Sequence, residues 1–332
     1  MTAATISTRI NRFDNLKGLA ITLVVIGHLI CLTNDPELNF IRNFIFLIHL
    51  PIFFFVSGYF SKIDESQPFN SFKRLMIPFF IFCIIYWLFQ KYILLDNPKT
   101  LFVYPGYGLW FLISLFLMKM MLPIINRFRY PLVASFVFAI AIGFIDCNFF
   151  GISRTFVYLP IFLVGFYYNQ YVFKFQQKYD SAYSLLCKRK AVLVLVALTI
   201  LALIICAETF TINLISLKYA YHGFNSFEII SRAIVIGIGI LSTLILNQLM
   251  TNREISLTQV GKNSMVVYIF HLFMVKILKS ILKPYYAYHP GMTLLAAVAL
   301  SLIIVFILSR DFISSIYNRF IEMICDLLFL NS

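Results

Sequence analysis

The chain has 332 residues, of which 61% are hydrophobic and only 12% are charged. A soluble globular protein is about 45–50% apolar and about 25% charged, so this composition excludes a soluble domain with an ordinary polar surface. Because the apolar runs recur along the whole length, the sequence predicts one membrane domain over residues 1–332 and not a soluble domain with a single anchor.

The net charge of +13 does not indicate nucleic-acid binding, because the basic residues alternate between loops and form no patch with interleaved aromatics. The six cysteines include no Cys-x-x-Cys pair, so neither a disulfide framework nor a metal site is predicted. The positive charges fit a membrane topology better, since loops rich in lysine and arginine stay in the cytoplasm.

In chain order, the apolar runs predict an all-α polytopic membrane protein with ten transmembrane helices. Their centres lie near Leu23, Phe53, Ile84, Phe116, Val137, Leu163, Leu198, Ile238, Phe270 and Ile304. Pro51 is expected to kink or break the second helix. With the N-terminus inside, most loop lysines and arginines fall on the inner side, so both termini are predicted to be cytoplasmic. Residues 311–332 follow as an amphipathic tail that is predicted to lie on membrane lipid at the inner surface.

The first predicted helix contains two ionisable residues, Lys17 and His28, and a buried ionisable group in a membrane is a functional candidate. Eleven positions separate the two residues, which is about three helical turns, so they share one face at roughly 16 Å along the axis. Asp14 lies on nearly the same face. A lysine at the membrane surface and a histidine near its middle suit a long ligand with an anionic end and a reactive end.

This region resembles the membrane acyltransferase family 3. A basic residue, ten residues and a histidine are followed by FLIHLPIFFFVSGYF, and the similar stretches continue with GLWFLISLF (108–116), RTFVYLPIFLVGFY (154–167) and GKNSMVVYIFHLF (261–273). The single-domain members similar to fucose O-acetylases fit best. The resemblance implies that an acetyl group moves from acetyl-coenzyme A to a hydroxyl of a surface polysaccharide or its lipid-linked precursor, in a bacterial inner membrane.

The resemblance makes His28 the catalytic residue, and an imidazole can take the proton from a sugar hydroxyl as that hydroxyl attacks a thioester. Lys17 at the cytoplasmic mouth can bind the coenzyme A phosphates, and its spacing from His28 favours this role over the alternative that it snorkels to the interface. Asp14 is expected to hold the lysine in place. Lys73 and Arg74 form a second basic patch. The family's pair of arginines two residues apart is absent there, so coenzyme contact and membrane topology are equal alternatives for this patch.

Acceptor binding is predicted for residues nearer the outer side. His49 is expected to face His28, where it would bind a substrate hydroxyl or support the catalytic imidazole. A structural hydrogen bond is an equal alternative. Arg154 is expected to hold a polar or anionic sugar.

Three further residues are candidates for lining the sugar pocket. The alternative for Trp110 and Tyr268 is anchoring at the membrane interface, and the alternative for His271 is helix packing. Elsewhere, the buried Arg232 is expected to pair with Glu228, one helical turn before it.

Two other classes of function are open from the residues alone. A membrane transporter or flippase for a glycan precursor also has buried charges, but transporters often contain paired halves with interrupted helices, and no such repeat is found. A receptor-like or scaffold protein would leave the spacing of Lys17 and His28 accidental. Transfer of an acyl group from a donor would distinguish the acyltransferase function from both alternatives. The sequence specifies neither the sugar, nor its hydroxyl, nor the oligomeric state.

Overall fold

The computed structural model describes residues 10–31, 36–98, 101–102, 108–147, 149–176, 182–282 and 290–329, and the regular structure in these ranges is entirely helical. The helices are α1 (Asn11–Ile30), α2 (Pro36–Tyr59), α3 (Gln67–Ile93), α4 (Trp110–Ile125), α5 (Pro131–Ala141), α6 (Ile152–Gln176), α7 (Ala182–Thr209), α8 (Ile212–Ser216), α9 (Ser226–Leu249), α10 (Ser256–Lys262), α11 (Ser264–Leu282), α12 (Pro290–Leu308) and α13 (Asp311–Leu328).

Within the described residues, six helices, namely α1, α2, α3, α6, α9 and α12, contain stretches long and apolar enough to cross a membrane, and the bent pair formed by α10 and α11 is a seventh if it is counted as one span. Shorter apolar helices cover Trp110–Ile125, Pro131–Phe144 and Leu193–Thr209. Each of the ten predicted centres lies in one of these helices. The all-helical, multi-pass membrane architecture is therefore confirmed, while the count of ten spans and the orientation of the termini stay predictions.

The break in the helical pattern falls at Asn263 and not at Pro51. α2 runs through Pro51 as one helix, whereas α10 and α11 meet at an angle of 82°. The Asn263 side-chain amide donates to the carbonyl of Ser309 at 2.7 Å and to the carboxylate of Asp311 at 3.0 Å. Donation from Asn263 and then from Gln259 lowers the pKa of the Asp311 carboxyl. The corner between α10 and α11 is thus tied to the start of α13.

The predicted tail forms α13. Its Tyr317 packs on Phe82 of α3 with ring centroids 6.0 Å apart, and the following Phe329 contacts Phe69 at 5.0 Å. Phe312 and Leu327 are among the exposed apolar side chains of this helix. The contact of the helix with lipid stays a prediction.

α1 lies among α2, α10, α11 and α12, and two glycines let its backbone approach α10 closely. A Cβ at Gly18 would come within 2.1 Å of the backbone oxygen of Leu257, and a Cβ at Gly261 would come within 1.7 Å of that of Asp14. Small residues at helix interfaces permit such packing in membranes. The same principle explains Gly58 of α2, where a Cβ would lie 1.9 Å from the oxygen of Phe162 of α6. The absence of a side chain at Gly58 therefore lets α2 and α6 approach closely.

Replacing Gly261 with alanine is expected to lower the melting temperature of the purified protein in detergent, because α1 and α10 must separate to admit the new methyl group. Overpacking of this kind costs about 1–3 kcal/mol. Gly237→Ala on α9 is the matched control, since a Cβ there meets nothing within 4 Å, and the exchange also favours the helix. Equal melting temperatures for the two variants would contradict the account of this interface.

Arg232 and Glu228 interact electrostatically, as predicted, but each forms its hydrogen bonds with other partners. The Glu228 carboxylate accepts from the backbone N–H of His222 at 2.8 Å and from its Nδ1 at 2.7 Å. The Arg232 guanidinium donates to the Tyr219 carbonyl at 2.6 Å and lies 4.5 Å from the centre of the Tyr221 ring. The loop before α9 therefore supplies partners that the helical spacing of the two charges does not reveal.

Candidate active site

His28 lies in the last turn of α1, where the helix passes between α2 and α11. Its imidazole is half-buried. The centre of its ring is 5.5 Å from that of His271 on α11 and 6.3 Å from that of Phe46 on α2. Residues from three helices therefore surround the predicted catalytic imidazole.

The other two histidines of this region, His49 and His271, have their Nδ1 atoms fixed by helix backbone. His49 Nδ1 lies 2.8 Å from the carbonyl of Ile45, and His271 Nδ1 lies 2.9 Å from the carbonyl of Val267. A carbonyl oxygen only accepts, so each Nδ1 carries the hydrogen and each neutral ring presents Nε2 as an acceptor. The Nε2 atom of His271 is buried and has no hydrogen-bond partner among the described residues.

These three histidines border one cavity of about 160 Å³, called here the histidine cavity. One part of its lining is polar or glycine and consists of His28, His49, Gly108, Trp110, Arg154, Ser216, Tyr268 and His271. The apolar part consists of Val24, Phe46, Leu50, Phe53 and Phe111. All five predicted acceptor-binding residues lie here together with His28. Their grouping is the arrangement that the sequence analysis predicts, although their roles stay predictions.

Arg154 and Trp110 form one unit of this lining. The Arg154 guanidinium lies 4.3 Å from the centre of the Trp110 ring, a distance typical of a cation–π contact. The chain turns into α6 at Gly151, whose φ of +70° suits glycine and where a Cβ would lie 3.1 Å from that of Trp110. Because the cation covers a face of the indole ring, Trp110 is better suited to hold Arg154 than to stack on a sugar.

A second cavity, of about 480 Å³, lies toward the other end of α1 and is called here the basic cavity. Its charged lining residues are Lys17, Lys62, Asp64, Arg74 and Lys119. Four cations and one carboxylate give this cavity a positive balance. It extends to the exposed loop between α2 and α3, where Lys62 and Asp64 lie.

The remaining predicted coenzyme ligands lie outside both linings. The carboxylate of the buried Asp14 forms an ion pair with the ammonium of Lys17 at 2.8 Å, which fits a residue that holds Lys17 in place. The Lys73 ammonium lies 4.4 Å from the centre of the Phe69 ring and 5.3 Å from that of Phe329. Of the adjacent cations Lys73 and Arg74, the cavity therefore includes only Arg74.

Three aromatic residues, Phe53, Phe111 and Tyr268, line both cavities and separate them. The ring centroids of Phe53 and Phe111 are 5.8 Å apart, and those of Phe111 and Tyr268 are 5.6 Å apart. The Tyr268 hydroxyl donates to the carbonyl of Gly108, which fixes the phenol ring in this position. These three rings, called here the aromatic septum, form the boundary shared by the basic cavity and the cavity that contains His28.

Several residues that line the two cavities are not predicted from the sequence to belong to the site. Lys119 can be recognised from the sequence as a functional candidate, because it is a cation within an apolar span. Phe46, Phe53 and Phe111 carry no comparable signal, because they are three of 37 phenylalanines in the chain. Among the described residues, no group of three or more His, Cys, Asp and Glu side chains is arranged to hold a metal ion.

In comparisons with known proteins, a family model described as an acyltransferase domain matches residues 10–310, which is nearly the whole chain. The match includes all ten predicted site residues. No curated protein and no solved structure matches the chain.

Proposed function

The chain belongs to the acyltransferase family 3, and from this premise we propose that it is a membrane O-acetyltransferase of the bacterial inner membrane. Its donor is acetyl-coenzyme A, and its acceptor is a hydroxyl of a surface polysaccharide or of the lipid-linked precursor of that polysaccharide. The observation that carries the proposal is the pair of cavities that meet at the aromatic septum, with cations in one and His28 in the other.

The donor enters the basic cavity from the cytoplasmic side. Coenzyme A is long and polyanionic at one end, and Lys17, Arg74 and Lys119 supply positive charge for its phosphates. Its thioester end is thin and largely apolar, so it passes between the rings of Phe53, Phe111 and Tyr268. The axial separation of Lys17 and His28, roughly 16 Å, is the distance that the pantetheine arm has to cover.

In the histidine cavity, the acceptor hydroxyl attacks the thioester carbonyl carbon. A C–O bond forms, the C–S bond breaks, and the hydroxyl proton passes to the imidazole of His28, which returns it to the thiolate of coenzyme A. Arg154, held by Trp110, hydrogen-bonds the acceptor sugar, and His49 and His271 offer their Nε2 atoms to neighbouring sugar hydroxyls. The small buried cavity keeps water away from the thioester and so limits hydrolysis.

The proposal is tested with inside-out membrane vesicles from a strain that lacks the gene and carries a plasmid copy, because such vesicles expose the cytoplasmic face and contain the host's own acceptor. The vesicles receive acetyl-coenzyme A labelled in the acetyl group, and label is counted in the isolated glycan and lipid-linked sugar fractions. We expect incorporation that depends on the plasmid copy. Incorporation equal to that of vesicles with an empty plasmid would contradict the proposal and leave a transporter or flippase as the better reading.

A further inference from the structure

The shape and polarity of the histidine cavity limit the acyl group as well as the acceptor. We propose that Phe46 sets the length of the acyl chain that the protein transfers, and that the cavity admits acetyl but excludes chains of four or more carbons. This inference rests on the proposed acyl transfer and adds a specificity-determining residue to it.

The volume of the histidine cavity limits the number of atoms that it can hold. Its size of about 160 Å³ is close to that of cavities that take up one benzene molecule, roughly six non-hydrogen atoms. The reacting atoms alone reach that number: the acetyl methyl, the carbonyl carbon and oxygen, the thioester sulfur, and the attacking oxygen with its carbon. Each carbon added to the acyl chain therefore takes space that the acceptor sugar needs in the same cavity.

The direction of the acyl chain determines which lining residues it meets. The thioester arrives through the aromatic septum, so the acyl group points away from Phe53 and Phe111. Of the residues that line the histidine cavity alone, the polar ones are His28, His49, Trp110, Arg154, Ser216 and His271. The apolar ones are Val24, Phe46 and Leu50. An apolar acyl chain lies against the wall formed by these three apolar residues, because its burial there removes apolar surface from water.

Phe46 is the largest residue of that apolar wall and lies beside two of the three histidines. Its ring centre is 6.3 Å from that of His28 and 5.0 Å from that of His49, with both rings edge-on to it. The backbone of α1 supports the phenyl ring from behind, since a Cβ at Gly27 would lie 3.4 Å from it. The backbone of α1 therefore limits the movement of the ring on that side.

The test measures acyl-chain preference in the inside-out vesicles described above. Acetyl-, propionyl- and butyryl-coenzyme A, each labelled in the acyl group, are supplied singly at equal concentration, and label in the glycan fractions is counted. A pocket discriminates against one misplaced methylene by about tenfold or more. For the wild type we expect butyryl transfer at least about tenfold below acetyl transfer, with propionyl between them.

Phe46→Ala removes the phenyl ring, and Phe46→Leu replaces it with a smaller apolar side chain, so that less side-chain volume is lost. Either variant should raise the ratio of butyryl to acetyl transfer by about tenfold or more. Phe40→Ala is the matched control, because Phe40 is also a half-buried phenylalanine of α2 but lines neither cavity. It should keep the wild-type ratio. Membrane levels of all variants are compared by immunoblot.

The outcomes separate this inference from the function on which it rests. No transfer by the wild type from any of the three donors contradicts the proposed function itself. Wild-type transfer of acetyl and butyryl at equal rates contradicts the inference alone. An unchanged ratio in both Phe46 variants also contradicts it. Loss of transfer from all three donors in both variants at normal membrane levels contradicts it as well, because such a residue would act in transfer itself and not as a limit on chain length.

Discussion

Replacing His28 with alanine is expected to reduce acetyl transfer by at least about a hundredfold, because the variant has no base to take the proton of the attacking hydroxyl. The loss should appear in the maximal rate more than in the KM for acetyl-coenzyme A, since the cations of the basic cavity are unchanged. Initial rates at saturating donor, measured in inside-out vesicles at matched protein level, give the comparison.

His222→Ala is the matched control for that prediction. His222 is also an imidazole, but its side chain is 87% exposed and bonded to Glu228, away from the histidine cavity. It should transfer acetyl at close to the wild-type rate. A His28→Ala variant that retains more than about a tenth of the wild-type rate would remove this residue from proton transfer, because the loss of a general base costs more than that.

Replacing Arg74 with glutamine is expected to raise the KM for acetyl-coenzyme A roughly ten- to hundredfold with little change in the maximal rate. A hydrogen bond to a charged group is worth about 1.5–3 kcal/mol, and each 1.4 kcal/mol is tenfold in affinity. Added salt should raise the wild-type KM as well, because it screens the attraction between cations and phosphates. Initial rates across a range of donor concentrations measure both effects.

The adjacent cation provides the control for Arg74. Lys73→Gln removes the same charge from the same turn of α3, but Lys73 lies over the rings of Phe69 and Phe329 and lines neither cavity. Its KM should stay within about twofold of the wild type if location in the cavity and not overall charge decides the effect. Equal increases of KM in the two variants would indicate that the patch acts only through its general field or through topology.

The sequence predicts the parts of the site that depend on local spacing. Lys17 and His28 share a face of α1 because eleven residues make about three turns, and the structure places them in two cavities that adjoin. The predicted acceptor residues His49, Arg154 and His271 also lie in one lining, because charged and polar side chains are scarce in apolar helices and few places can satisfy them.

The parts that depend on contacts distant in sequence are not predictable in this way. The bend at Asn263 is tied down by Ser309 and Asp311, which are 46 and 48 positions further along the chain. Phe53 and Phe111 form the aromatic septum only because α2 and α4 bring them together, and neither residue differs locally from the packed phenylalanines around it. Position in the fold, and not residue type, gives these side chains their roles.

The most direct test of the account is the O-acetyl content of the host's surface glycans, measured by proton NMR in a strain that lacks the gene. The strain is compared with strains restored by the wild type or by His28→Ala at equal membrane levels. The account predicts that acetyl signals disappear on deletion and return only with the wild type. Acetyl signals that persist after deletion would contradict the proposed acceptor and donor, and equal restoration by His28→Ala would contradict the proposed mechanism.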